Sequence, residues 1–164
     1  QTAPKGVYNP IYTAEQQKRR DESFWTVVQA ILAPLQFVVF LISTWLVLDY
    51  LVTGSGWFAA TVSVIAKTGF LYAIMVTGSI WEKVVFGRWL FAPAFFWEDV
   101  FSMVVIALHS AYIVMLIGGF GTASEQLYVA LAGYVAYAIN AGQFLLKLRA
   151  ARLGRAHVQA EPAT

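Results

Sequence analysis

The sequence predicts an all-α integral membrane protein: four transmembrane helices in a bundle, with both termini in the cytoplasm. Three observations carry this. The 164 residues are 59% hydrophobic and only 12% charged, with a mean hydropathy of +0.64, too apolar for a soluble domain that must hydrate its surface. The apolar residues gather into four stretches, each long enough to cross about 30 Å of hydrocarbon. Lysine and arginine collect before the first stretch (Lys5, Lys18, Arg19, Arg20), between the second and third (Lys83, Arg88) and after the fourth (Lys147, Arg149, Arg152, Arg155), and are absent from the other two loops. By the positive-inside rule all three basic segments face the cytoplasm, which an even number of spans requires.

Taken in order, residues 1–23 form a polar cytoplasmic arm without the apolar core and small-residue cleavage site of a secretory signal. Within it TAEQQKRRDES predicts a short interfacial helix, Thr13 as N-cap, its basic cluster turned to anionic headgroups. The four-helix domain covers 24–148, with spans at about 24–48, 57–81, 93–117 and 125–148. Span one repeats Gln29, Gln36 and Ser43 every seven residues, so they share a face, and Pro34 frees a backbone carbonyl near Gln36. A tight polar turn, DYLVTGSG from Asp49, leads to span two, which places Lys67 near mid-membrane. A central lysine costs about 2.5 to 3.5 kcal/mol on insertion scales, so it must face the bundle interior. Residues 82–92, EKVVFGRWLFA, connect spans two and three. Residues 149–164 are a basic and then flexible cytoplasmic tail.

Span three is the one at odds with hydrocarbon. It carries Glu98, Asp99 and His109. At about 3.6 residues per turn Glu98, Ser102, Val105, His109 and Tyr112 fall on one stripe, with Asp99 beside it. Pro93 suits the first turn of that helix, which would put Glu98 and Asp99 about two turns inside it. Given the topology, Gln29, Glu82, Glu98, Asp99, Asn140 and Gln143 all lie within about three turns of the cytoplasmic surface, with Gln36, Lys67 and His109 deeper. The opposite half is almost wholly apolar, unlike a channel or transporter, which is polar throughout its path. The pattern is that of a pocket open to the cytoplasm or inner leaflet.

Each polar residue also has a structural reading. The glutamines and Asn140 can be interhelical hydrogen-bond partners worth about 0.6 kcal/mol each. Glu98 and Asp99 can complement a helix N-terminus and pair with Lys83 or Arg88. Lys67 can meet a structural partner as well as a ligand, and His109 can bond a neighbouring helix or act as an axial metal ligand. No cysteine is present, which excludes disulfides, iron–sulfur clusters and thiolate chemistry. No nucleotide loop, dinucleotide fingerprint, GxSxG or HExxH motif occurs. Carboxyl groups in a low-dielectric pocket are, however, suited to general acid catalysis near neutral pH.

At FWTVVQAILAPLQFVVF, IWEKVVFG, LFAPAFFWEDVFSM and INAGQFLLKLRAAR the sequence closely resembles the 3-vinyl bacteriochlorophyllide hydratase family of bacteriochlorophyll biosynthesis, over roughly Tyr12 to Arg152. The resemblance implies addition of water across the 3-vinyl group of a chlorophyllide-type tetrapyrrole, giving the 3-(1-hydroxyethyl) product. It implies no cofactor, since the substrate carries its own magnesium. It also implies a multi-pass protein of the bacterial inner membrane (photosynthetic or intracytoplasmic), in contact with the bilayer and with other bacteriochlorophyll-synthesis enzymes or copies of itself, and not with nucleic acid. Fitted to that chemistry, Glu98 is the candidate acid and Asp99 its partner, with Glu82 a substitute for either. Gln29, Gln36, Asn140 and Gln143 are candidates to hold ring carbonyls or the water, Lys67 to meet a substrate carboxylate, and His109 to ligate the substrate magnesium. The competing class is a non-catalytic pigment-binding or accessory subunit of a photosynthetic membrane complex, which an intramembrane histidine also suits.

Overall fold

The computed structural model describes residues 10–160, with side chains as far as Gly154. Five helices follow one another: α1 (Ala14–Glu22), α2 (Phe24–Thr53), α3 (Trp57–Phe86), α4 (Phe96–Gly118) and α5 (Ala123–Ala160). Of these, α2, α3, α4 and the Ala123–Gly154 part of α5 are long and apolar enough to cross a membrane. The chain is therefore an all-α, multi-pass membrane protein.

Local sequence explains each boundary. Thr13 and Gln16 form a capping box at the start of α1, each side chain bonding the other's backbone N–H. Ser23 ends α1 and caps α2 through the Trp25 N–H. The polar turn after α2 is shorter than composition suggests: the helix continues through Asp49 to Thr53 and stops where Gly54 turns left-handed at φ 73°, a conformation glycine adopts freely. Thr122 and Glu125 make a second capping box at the start of α5. Its far end also differs from composition, because the helix continues through residues 149–160. Residues 161–164, and residues 1–9 of the arm, lie outside the described residues.

Pro93 is a clear departure. It sits in a turn before α4, closed by the Phe95 N–H donating to the Ala92 carbonyl at 2.8 Å, and not in the helix itself. Glu98 and Asp99 consequently occupy the first turn of α4, not a position two turns inside. Negative groups there complement the positive end of the helix dipole.

The bundle is built from two hairpins, α2–α3 and α4–α5. Between α2 and α3, Gln29 donates to Thr77 at 2.6 Å and the Ser43 and Ser63 hydroxyls meet at 2.8 Å. Tyr134 of α5 reaches the same Ser43. On α4 the buried residues are Glu98, Asp99, Ser102, Val105, His109 and Tyr112, the predicted stripe and its neighbour. The outer surface is the reverse: Ile117, Val52, Phe58 and Trp45 are all more than 70% exposed. Polar side chains inside and apolar ones outside is the arrangement a lipid solvent selects.

One close approach is specific to glycine. A Cβ at Gly133 on α5 would lie 2.9 Å from His109 Nδ1 and 3.0 Å from its Cε1. Gly133→Ala is expected to destabilise the bundle by about 1–3 kcal/mol through overpacking, measured as a lower midpoint of thermal unfolding in detergent. An unchanged midpoint would mean that the ring has room to move.

Candidate functional site

The polar side chains converge at the end of the bundle that carries α1, the α3–α4 connection and the basic part of α5. Glu82 lies in the last turns of α3 and Asp99 in the first turn of α4; both are about 95% buried. Their carboxyl groups hydrogen-bond to each other. A carboxylate only accepts, so a bond between two carboxyl groups requires a proton on one of them. A pair of this kind is able to hold one proton between two acids.

The connection between α3 and α4 folds back to complete this pair. Gly87 turns the chain at φ 79°, and the Phe91 N–H then donates to Asp99 Oδ2 at 2.7 Å and the Ala92 N–H to Glu82 Oε2 at 3.2 Å. Phe91 has φ 58°, the one positive φ at a non-glycine among the described residues. Such a conformation costs of order 1–3 kcal/mol and persists where surrounding contacts over-determine it. Here the contact is the bond to Asp99.

Glu98, one residue before Asp99, takes a different partner. Lys147 of α5 donates to Glu98 Oε2 at 2.8 Å, donates also to the Ala94 carbonyl, and stands 5.0 Å above the Phe95 ring. Asn140 Nδ2 donates to the Glu98 backbone carbonyl at 2.8 Å and lies 3.5 Å from Gln143 Oε1; the Ser102 hydroxyl is 3.2 Å from Asn140 Oδ1. Around these groups the aromatic rings of Tyr12, Phe86, Phe95, Trp81 and Phe144 pack edge and face. Tyr12, from the arm, closes this end of the bundle and is only 8% exposed.

Of the nine residues singled out in the sequence, the structure brings together Glu82, Glu98, Asp99, Asn140 and Gln143. Gln29 stands apart on the α2–α3 seam with Thr77. Gln36, Lys67 and His109 are elsewhere: Lys67 is fifteen residues before Glu82 and His109 ten after Asp99, about 22 and 15 Å along their helices. The participant that the sequence did not single out is Lys147, whose place seven residues after Asn140 puts it on the same face of α5. That spacing was the signal. The donors of Phe91 and Ala92 had none, since any residue carries a backbone N–H.

On the outer face a groove of about 310 Å³ opens between α3 and α4, lined by Met75, Val76, Ser79, Leu90, Met103 and Ile106 with Tyr72. The Tyr72 and Ser110 hydroxyls meet at 2.6 Å at its far end. Two of its lining residues, Ser79 and Met103, lie about one helical turn from Glu82 and Asp99.

Fold and site define a class: a four-span membrane protein with a hydrogen-bonded carboxyl pair buried at one end of its bundle, beside a laterally open apolar groove. A family model described as 2-vinyl bacteriochlorophyllide hydratase matches residues 12–150. Two relatives carry the same description. One, from Cereibacter sphaeroides, is 62% identical over 152 residues, covering 93% of this chain and 94% of its own. The other, from Rhodobacter capsulatus, is 59% identical over 154 residues, covering 92% and 90%. No solved structure matches. The chain belongs to the 2-vinyl bacteriochlorophyllide hydratase family, in which the numeral 2 denotes the same substituent as the 3-vinyl group of the alternative ring numbering.

Proposed function

We propose that this protein adds water to the vinyl group of a magnesium chlorophyllide-type tetrapyrrole, and that the Glu82–Asp99 pair moves the proton. The observation that carries this is the carboxyl-to-carboxyl contact of Glu82 and Asp99, about one helical turn from the groove residues Ser79 and Met103, in a chain of a hydratase family. The protein sits in the bacterial inner membrane with both termini and the carboxyl pair at the cytoplasmic side, as the distribution of lysine and arginine indicates.

Hydration needs an acid and then a base. The proton shared by Glu82 and Asp99 passes to the terminal vinyl carbon, and the carbon next to the ring becomes a cation conjugated with the macrocycle. The pair, now with two negative charges, stabilises that cation. Water adds to it, and the pair takes back the proton that the water loses, leaving the 1-hydroxyethyl group and the pair as it began. No net electrons move, so the chemistry calls for no redox cofactor. The macrocycle lies in the α3–α4 groove and enters from the lipid. Asn140, Gln143 and Ser102 are near enough to orient the water, and Glu98, balanced by Lys147, holds the start of α4 in place.

Two of the roles fitted to this chemistry from residue depth compete poorly with this geometry. A vinyl carbon is only a few bonds from the macrocycle's metal, whereas His109 lies about 15 Å along α4 from Asp99. Lys67 is farther still. One macrocycle therefore does not present its vinyl to the carboxyl pair while His109 holds its magnesium.

The test is to incubate membranes containing the protein with the 3-vinyl pigment and follow it by mass and absorption. A product heavier by one water, with a blue-shifted long-wavelength band as the vinyl leaves conjugation, is expected. Unchanged pigment co-purifying with folded protein would instead indicate a pigment-binding subunit.

A further inference from the structure

We propose that the middle of the bundle contains a second polar site, formed by Lys67, His109 and Gln36, that binds ordered water and not the substrate. This inference is independent of the hydratase reading. Lys67 and His109 are 0% exposed and Gln36 is 2% exposed. Lys67 Nζ, His109 Nε2 and Gln36 Nε2 are all fully buried without a hydrogen-bond partner among the described side chains and backbone. Leaving one such group unpaired is destabilising, more so for a charge, and three of them lie on three neighbouring helices.

The groups face a common interior. Lys67 interacts electrostatically with His109, and its ammonium lies 3.6 Å over the Tyr137 ring; His109 packs at 5.6 Å on Tyr134, one turn along α5. Gln36 is midway between the two α2–α3 hydrogen bonds, Gln29 to Thr77 and Ser43 to Ser63, which sets it within about a turn of Lys67 in depth.

The chemistry of the three atoms selects the occupant. His109 Nδ1 is 2.7 Å from the Val105 carbonyl, so Nδ1 carries the donated hydrogen and Nε2 presents a lone pair. Lys67 Nζ and Gln36 Nε2, the two unpaired nitrogens, offer N–H donors. A divalent cation is repelled by the ammonium, and a halide by the imidazole lone pair. Water accepts from Lys67 and Gln36 and donates to His109, the roughly three bonds that a buried water typically makes.

X-ray radiolysis in water enriched in oxygen-18 tests this, because bound water split by the pulse labels the side chains that touch it even where bulk solvent does not reach. Tyr134 and Tyr137 are expected to take up label several-fold above Tyr12, a tyrosine of equal intrinsic reactivity that is 8% exposed and packs at the end of the bundle on Phe86 and Phe95. The triple replacement Gln36→Leu, Lys67→Met and His109→Phe is expected to abolish that excess. Tyr134 and Tyr137 labelled no more than Tyr12 in the unaltered protein would overturn the proposal, whether or not the triple variant folds. So would a thermal midpoint that rises with added bromide in the unaltered protein and not in Lys67→Met, since that outcome identifies an anion site.

Discussion

Replacing Asp99 with asparagine is expected to lower turnover by about 10²- to 10⁴-fold, the usual contribution of a positioned proton donor or acceptor, while the bundle stays folded. Asparagine keeps the size of the side chain, and its carbonyl oxygen still accepts from the Phe91 N–H, which now donates to Asp99 Oδ2 at 2.7 Å. Its amide can donate to Glu82, so the bond between the two residues survives. What is lost is the transferable proton. Glu82→Gln is expected to act alike, and the double variant to be no worse than either single one, because the pair works as a unit. Glu98→Gln is the informative comparison: its carboxylate is engaged by Lys147 at 2.8 Å, and the loss there is expected to be smaller. Turnover that survives in Asp99→Asn but vanishes in Glu98→Gln would move the proton to Glu98, the acid first singled out in the sequence.

The largest expected loss of stability follows from Lys147→Met. Glu98 is 6% exposed, and removing its cation leaves a buried carboxylate uncompensated, which costs about 3 kcal/mol or more. The Ala94 carbonyl loses its donor in the same change, so the strap that holds the α3–α4 connection against α5 goes too. Pairing the substitution with Glu98→Gln removes the orphan charge and is expected to recover most of the thermal midpoint. If the single variant melts as the parent does, water reaches Glu98 and the ion pair contributes little, as exposed pairs do.

Much of this was readable along the chain because lipid imposes a local rule. A span must be apolar for about 20 residues whatever its neighbours are, so the four spans and the buried stripe Glu98, Ser102, Val105, His109, Tyr112 follow from hydropathy and helical period alone. Depth was readable for the same reason: counting residues from the basic loops puts Gln29, Glu82, Glu98, Asp99, Asn140 and Gln143 at one end and Gln36, Lys67 and His109 away from it, although Gln29 then pairs with Thr77 on the α2–α3 seam and does not join the others. Pro93 shows the limit of local inference. A proline at a helix start is equally at home in the turn before it, and only the closure of that turn by Phe95 onto Ala92 decides between the two.

Partner choice was not readable, since it depends on where a loop goes and how far a side chain reaches. Glu98 and Asp99 are adjacent and chemically alike, yet consecutive residues on a helix point about 100° apart. One turns toward α5 and meets Lys147; the other turns toward α3 and meets Glu82. By itself the sequence determined that this is a four-span membrane protein with its acids gathered at one end, because hydropathy, charge and helical period act residue by residue. Only the tertiary structure decided which two acids meet, because that required the fold of residues 87–95 to bring Phe91 and Ala92 within hydrogen-bond reach of Asp99 and Glu82.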